Sequence, residues 1–376
     1  MRMLAGARCT RYSPNSMEPV THFLTGACLG RSGFNRRTAY ATLAMTLAAE
    51  APDLDVLWSL RGPVAGFEHH RGITHTLIGA PFVALAVTGT VYLWHRIRKK
   101  PSKTKDSPPP NWLLIWLFSC VAVLSHLLLD FTNNYGLRPF FPFNPRWYSW
   151  DIVFIFEPLM FAALLLALVM PAIFGLADRE IGARRTPFRG RRWAIAALAF
   201  IVILYAVRNA EHQRALNLLR ADGLSEPTIR VAAEPYPIDP FHWYGLLETG
   251  DYFQTADVST RNDSVDTQSG QIVYKPEVTM ATLAAKRSWL GHVYLDWSSW
   301  PVTTDLGNQQ PAGTDAIAGL PWPLPLDWHV VQFRDLRFGD AGAFLRNSKN
   351  PPLTGYVYIG PGDEVEAMVM NGREQK

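Results

Sequence analysis

Over its first 210 residues the chain alternates long uncharged runs with short charged ones, and then it changes character. No charged residue occurs from Thr76 to Trp94, and residues 112–129 are interrupted only by Ser119, Ser125 and His126. A third apolar run, 152–176, carries Glu157 and Pro158 near its start, and a short fourth, 193–207, is flanked by Arg191, Arg192 and Arg208. Runs near 20 residues predict membrane-crossing helices, because a helix rises about 1.5 Å per residue across a hydrocarbon core of about 30 Å. Snorkelling arginines can extend the fourth. Two earlier segments, 20–30 and 38–50, are too short to cross. With Arg31, Arg36 and Arg37 between them, they predict a helical hairpin that dips in from one side.

Beyond Glu211, residues 228–233, 241–259, 272–275, 328–335 and 355–369 show partial alternation of β-branched and aromatic residues. Turn signals such as Thr249-Gly250-Asp251 and Pro361-Gly362-Asp363 separate them, and 279–290 reads as one helix. The expected architecture is an α-helical membrane domain followed by a smaller soluble α+β, sheet-rich domain. The membrane domain holds about four transmembrane helices plus the short re-entrant helical hairpin. Residues 1–16 are patternless and read as disordered or as an over-extended start. Residues 17–210 form the membrane domain and 211–376 the extramembrane domain.

Composition sharpens this picture in two places. Hydrophobic residues make up 48% of the chain, and the net charge of +4 comes from basic residues grouped in short loops. That distribution suits a multi-pass membrane protein bound to a lipid bilayer, and no nucleic-acid partner is expected. The loops 95–110 and 178–192 are rich in Lys and Arg, whereas 131–150 has only Arg138 and Arg146. The positive-inside rule then puts the first two in the cytoplasm, and the 131–150 loop and the C-terminal domain on the outer face. The apolar stretch 23–29 is too short for a signal peptide. Cys9, Cys28 and Cys120 give no metal spacing and no disulfide framework; Cys28 and Cys120 read as small buried hydrophobes.

The candidate chemistry collects at the outer ends of these runs. Asp53 and Asp55 follow Pro52, which breaks the preceding helix. His70 and His75 bracket Gly72 and Thr74, a turn and a helix cap, just before the first span. His126 and Asp130 share one face of the second span at i, i+4, and His22 tops the hairpin. Each alone has an ordinary reading: a solvated loop carboxylate, a satisfied interfacial histidine, a hydrogen-bonded His–Asp pair, or a proton carrier. Ionisable residues within membrane segments are nevertheless functional-site hypotheses by default. Together, His22, Asp53, Asp55, His70, His75, His126 and Asp130 form a His and carboxylate set without Cys. That set suits a hydrolytic site holding one or two ions of Zn, Mn or Fe.

The order Thr21-His22, Pro52 to Asp55 (P-D-x-D), His70 to His75 (H-R-G-x-T-H) and His126 to Asp130 (H-x-x-x-D) resembles the YdjM-type inner-membrane metal-dependent hydrolases. The likeness covers roughly residues 17–160. The Glu234 to Pro237 segment (E-P-Y-P) and Trp243 are similar to the family's C-terminal part. The resemblance implies a bacterial inner-membrane location and metal-dependent hydrolase activity, with a looser likeness to zinc-dependent phospholipase C. Glu157 stands where family members often carry Asp.

The leading expectation is therefore a membrane-bound, metal-dependent hydrolase that acts on an ester or phosphoester, lipid-type or amphiphilic, through metal-activated water. The seven residues would hold metal, Arg71 or Arg138 would steady an anionic group, and Glu157 or Asp151 would handle a proton. The rival reading is a metal-stabilised membrane scaffold or sensor without catalysis. A proton-linked transporter using His126 and Asp130 would want inverted repeats, which the chain lacks. A second polar site at Asp239, His242 and Asp251 is a minor alternative.

Overall fold

Helix α1 (Pro19–Ser32) and helix α2 (Ala41–Glu50) form the dipping hairpin that the two short apolar segments predict. They close tightly because Gly26 and Gly30 face α2. A Cβ at either would lie 2.5 Å from the α2 backbone, at Met45 O and Thr42 Cα respectively. His22 is one turn before Gly26 on the same face, so the close approach also sets the depth of its imidazole. The computed structural model describes residues 19–98, 108–180, 190–221, 227–311, 317, 319–338 and 352–375. Residues 1–16, read from the sequence as disordered or as an over-extended start, lie outside the described residues.

A 3-10 helix, Ala51–Arg61, leads to α3 (Pro63–His69), a 3-10 turn (Ile73–His75) and α4 (Ala80–Arg98). Helices α5 (Trp112–Thr132), α6 (Pro158–Glu180) and α7 (Arg191–Ala221) are each long and apolar enough to cross a membrane. The segment Pro63–His75 with α4 gives a fourth candidate, bent by 86°. The bend has a local cause. The Thr76 hydroxyl donates to Ile73 O (2.8 Å) and accepts from Gly79 N–H (2.9 Å), so the helix restarts only at Ala80. His75 therefore lies in the turn and not, as the apolar run suggested, in the first helical turn of the span.

The fourth apolar run is the inner half of a longer helix. Leu204, Arg208, His212, Ala215 and Leu219 continue a buried stripe at helical spacing through α7, past the boundary read at 210. The C-terminal end of α7 packs Ala215 and Leu219 against Trp243, Leu247 and Val258 of the C-terminal, sheet-rich domain. At the head of α6, Glu157 Oε2 accepts from Arg208 Nη2 (2.6 Å), and Oε1 accepts from the backbone N–H groups of Leu159 and Ile238 (both 3.3 Å). This buried pair ties α6 and α7 to the start of the C-terminal domain.

That domain has two antiparallel sheets. In the first, β1 (Arg230–Pro235), β2 (His242–Glu248), β3 (Tyr252–Ser259) and β4 (Ser264–Asp266) pair in order, and β5 (Ile272–Tyr274) also pairs with β3. The second runs β10 (Arg373–Glu374), β9 (Val365–Met370), β8 (Gly355–Ile359), β7 (His329–Asp335), β6 (Pro301–Asp305). The segment 279–290, expected as one helix, is two: α8 (Met280–Arg287) and α9 (Trp289–Trp297). Ser288 breaks it with an extended backbone and restarts it as an N-cap, its side chain accepting from Gly291 N–H.

Helix α3 belongs to the core of this second domain. Val64, Phe67 and Tyr135 are buried with Tyr294, Trp297 and Phe333. Gln375 Oε1 accepts from Val64 N (2.9 Å) and Ala65 N (3.3 Å), satisfying the orphan donors at the start of α3, and its Nε2 donates to Arg61 O (3.0 Å). Trp297 Nε1 donates to Tyr135 O (3.2 Å), and Arg337 Nη1 to Asn134 O (2.7 Å). The C-terminal domain thus holds the two segments that flank the site described below.

Glu234, buried at this joint, contributes a pH dependence. Burial, and then the nearby Asp151 carboxylate, push its carboxyl well above the usual range against the opposing Arg337. Its share of stability is complete below the unfolded value of about 4.3, and is lost as pH rises towards and through the folded value. Glu234→Gln should remove that loss. Its stability relative to wild type should grow with pH by up to about 1.4 kcal/mol per unit, measured by denaturant titration between pH 4 and 8.

Candidate metal centre

Four side chains from three separate segments converge beside the C-terminal end of α5. Asp53 comes from the 3-10 helix, His75 from the turn before α4, and His126 and Asp130 from one face of α5. One ligand atom from each lies within 4.8 Å of the others. His75 Nε2 is 3.0 Å from His126 Nε2, 3.3 Å from Asp53 Oδ1 and 3.5 Å from Asp130 Oδ2. His126 Nε2 is 3.6 Å from Asp53 Oδ1 and 3.4 Å from Asp130 Oδ2. A tetrahedral ion with bonds of about 2.0–2.1 Å has ligand–ligand edges of about 3.3–3.4 Å. Five of the six edges, at 3.0–3.6 Å, scatter around that value, and the sixth, between Asp53 and Asp130, is no longer than 4.8 Å.

The imidazoles are turned the right way by what lies behind them. His126 Nδ1 is 2.7 Å from Ala49 O, and a carbonyl only accepts, so Nδ1 carries the proton and Nε2 presents its lone pair. His75 Nδ1 is 3.2 Å from Asp55 Oδ2, which fixes the same tautomer there. Asp55 is held in turn. It accepts the Arg71 backbone N–H (2.8 Å) and lies 3.2 Å from His70 Nδ1. Burial opposes its ionisation, but the His70 and His75 hydrogen bonds overcome this and keep its carboxyl below the usual range. Asp130 divides its oxygens. Oδ1 accepts from Arg71 Nη2 (2.6 Å), while Oδ2, buried and without a hydrogen-bond partner, faces the two imidazoles. Asp53 Oδ2 is also buried and without a partner.

Charge completes the test of fit. Asp53, Asp55 and Asp130 all stand against His75, and the one guanidinium among them, Arg71, pairs with Asp130. The excess of two negative charges, with neutral imidazoles, is what a divalent cation neutralises. Nitrogen and oxygen donors without thiolate suit Zn, Mn or Fe.

The seven residues singled out from the sequence therefore take different places. Asp53, His75, His126 and Asp130 form the inner group. Asp55 stands behind His75, and His70 stands behind Asp55. His22 flanks the group: its ring stacks on His126 at 3.9 Å, and its Nε2 is 3.5 Å from Asp130 Oδ1, the oxygen turned away from the imidazoles. A narrow cavity opens on this flank. Its lining is mixed: Thr21, His22, Arg71 and Asp130 are polar, and Leu129, Val153 and Met160 apolar.

Of the four residues given substrate or proton roles, Arg71 is bound into the site through Asp130, and Glu157, Asp151 and Arg138 make their contacts away from it. Arg71, buried with a positive φ of 54°, donates through Nη1 to Gly136 O (2.6 Å), Asn133 Oδ1 (3.2 Å) and Asp130 O (3.3 Å). Glu157 is paired with Arg208. Asp151 is near Arg337 and Glu234 at the domain joint. Arg138 pairs with Asp296 (3.3 Å) and lies over the Trp147 ring. Asp239 caps Phe241 N–H, His242 approaches Asp257 at 4.0 Å, and Asp251 is exposed at a turn, so these three do not converge.

Sequence reading overlooked Asn133, which accepts from Arg71, and Glu50. The Glu50 Oε2 is buried without a hydrogen-bond partner, within electrostatic reach of Asp53 and His22. Its position three residues before Asp53, in an otherwise uncharged helix, was the available signal.

Asp55→Asn tests the arrangement behind His75. An amide can no longer stabilise the His75 Nδ1–H as a carboxylate does. Metal affinity should fall about 10–100-fold, measured by competition with a chromophoric chelator, with the fold intact.

A curated relative, the "Uncharacterized protein YfhP" of Bacillus subtilis (strain 168), is 27% identical over 162 residues, covering 41% of this chain and 46% of that protein. The match thus spans about half of that relative's length. No solved structure matches. The YdjM inner membrane protein family matches residues 17–215, a stretch that contains all four inner residues, Glu50, Asp55 and Arg71. Since that match covers more than half of the chain, the protein belongs to the YdjM inner membrane protein family.

Proposed function

We propose that the protein is a membrane-bound, metal-dependent hydrolase that cleaves an ester or phosphoester of an amphiphile, with one divalent ion held by Asp53, His75, His126 and Asp130. The observation that carries this reading is the set of four inward-facing atoms within 4.8 Å of one another, with both Nδ1 positions already occupied from behind. A Zn, Mn or Fe ion there would supply Lewis acidity and bring the pKa of water towards neutrality. The chain's own residues do the rest. Asp55 and Ala49 O orient the two imidazoles, and Arg71 holds Asp130 so that one oxygen stays free. Glu50, beside Asp53 and outside the inner group, takes the proton-handling role, since Glu157 and Asp151 are committed elsewhere.

The orientation that puts this site on the outer face rests on the basic loops and belongs to the same proposal. Purified protein in lipid nanodiscs, supplied with Zn or Mn, should release product from at least one of a panel of phospholipids, lipid diphosphates and carboxylic esters. Asp53→Ala should release none. Absence of product across the panel, with metal bound, would favour the second reading, a metal-stabilised scaffold. The grip of the C-terminal domain on the ligand-bearing segments also favours that reading.

A further inference from the structure

The 3-10 helix that carries Asp53 and Asp55 has a second face with no role in the centre. In a 3-10 helix, side chains three apart eclipse one another. Leu54, Leu57 and Leu60 therefore form one ridge, and they are 61%, 59% and 85% exposed. Asp55 lies on the neighbouring row, turned inward to His75 and His70.

Four observations bear on what covers the ridge. The C-terminal domain already holds the next segment: α3 is buried in its core, and Gln375 caps its start, which leaves the leucine face of the preceding 3-10 helix uncovered. The 86° bend sets α3 across the direction of α4, so α3 lies along the membrane plane when α4 crosses it. Exposed apolar residues continue from the ridge through Ile73 and Leu77 to Phe82 and Leu85 on α4, the surface that a crossing helix turns to lipid. At the end of the ridge, Trp58 carries the Arg61 guanidinium 4.7 Å from its ring, an amphipathic pair of the kind that sits at head-group level.

We propose that Leu54, Leu57 and Leu60 insert into the acyl region of the adjacent leaflet and seat the ligand-bearing segment at the boundary between hydrocarbon and head groups. Asp53 is then next to the anchor at Leu54, and the centre works at a fixed depth. On the hydrolase reading, which this consequence rests on, the substrate class narrows to amphiphiles whose scissile bond lies at the acyl–head-group boundary, presented from the bilayer.

The test reads depth, not turnover. The full chain, with Cys9, Cys28 and Cys120 changed to alanine, receives a single nitroxide through Leu57→Cys or Leu60→Cys. It is reconstituted in phosphatidylethanolamine–phosphatidylglycerol vesicles. Labels at Leu124→Cys on α5 and Asp251→Cys on the C-terminal domain serve as lipid and water references. Collisional relaxation by oxygen should exceed that by a water-soluble nickel chelate at 57 and 60, as at 124, and the reverse should hold at 251. Relaxation at 57 and 60 matching that at 251 would overturn the proposal. Both positions lie on the protein surface, so the label displaces no core side chain. Metal content measured on the same samples reports separately on the centre, so failure of the anchor and failure of the hydrolase reading give different results.

Discussion

His126→Ala should yield a folded protein that neither retains a stoichiometric divalent ion nor turns over substrate. The imidazole supplies one of four inward atoms, and its loss leaves Asp53, His75 and Asp130 with a water-sized gap at the back of the site. Loss of an outer partner already costs about 10–100-fold in metal affinity, and removing a ligand itself costs more. Elemental analysis after size exclusion should show metal falling from one ion per chain to background, with product release falling in parallel. The helical signal should persist, because α5 is held by Ala122, Val123 and Leu127 against α2 and α4. If the metal were purely structural, the same variant would lose its fold along with the ion. Full occupancy and activity in His126→Ala would remove His126 from the centre.

The second large effect concerns stability. Arg71→Met should destabilise the protein by about 3–5 kcal/mol, the range for breaking a buried ion pair by removing one partner. Arg71 is 0% exposed, and its guanidinium is the charge that offsets Asp130 Oδ1 at 2.6 Å. The substitution also removes the Arg71 donor from Gly136 O, and leaves Asn133 Oδ1 with only the Tyr135 N–H (3.0 Å). Unfolding in mixed micelles by SDS titration measures the loss. The double variant Arg71→Met, Asp130→Asn should recover part of it, because the uncompensated carboxylate is then gone. A change within about 0.5 kcal/mol would be that of an ordinary surface site and would contradict the buried pairing.

The difference between these residues shows what a chain does and does not make legible. The inner group was readable because its chemistry is concentrated where apolar runs end: His126 and Asp130 share a helical face, and Asp53 and His75 stand at breaks marked by Pro52 and Gly72. Membrane patterning was readable for the same reason, as long uncharged runs have few alternatives. The division of labour was not. Asp53 and Asp55 are the same residue type two positions apart, and only the turn of the 3-10 helix sends one to the inner group and the other behind His75. Arg71, in a polar loop, looked free to bind substrate, yet its positive φ folds the side chain inward to Asp130. The length of α7 was hidden because its outer half is polar on the exposed side, and its buried stripe of Arg208, His212, Ala215 and Leu219 contains two ionisable residues. The break at Ser288 was hidden because a serine in a helical pattern is tolerated until it caps.

The placement of Glu157 and Asp151 follows from the same limit. Both carboxyls stand near span ends, where a catalytic acid would be sought, but each answers to the C-terminal domain: Glu157 through Ile238 and Arg208, Asp151 through Arg337 and Glu234. Contacts made with a domain more than 80 residues downstream leave no local signature. Conversely, the C-terminal domain looked like a separable module, yet Gln375, Trp297 and Arg337 reach the segments that flank the inner group.

The central claim is that Asp53, His75, His126 and Asp130 close around one divalent ion, and X-ray absorption at the metal edge of the zinc-loaded protein tests it most directly. The account predicts a first shell of nitrogen and oxygen only, at about 2.0–2.1 Å, with the outer-shell scattering of two imidazoles and no sulfur. A first shell without imidazole scattering, or one containing sulfur, would contradict it.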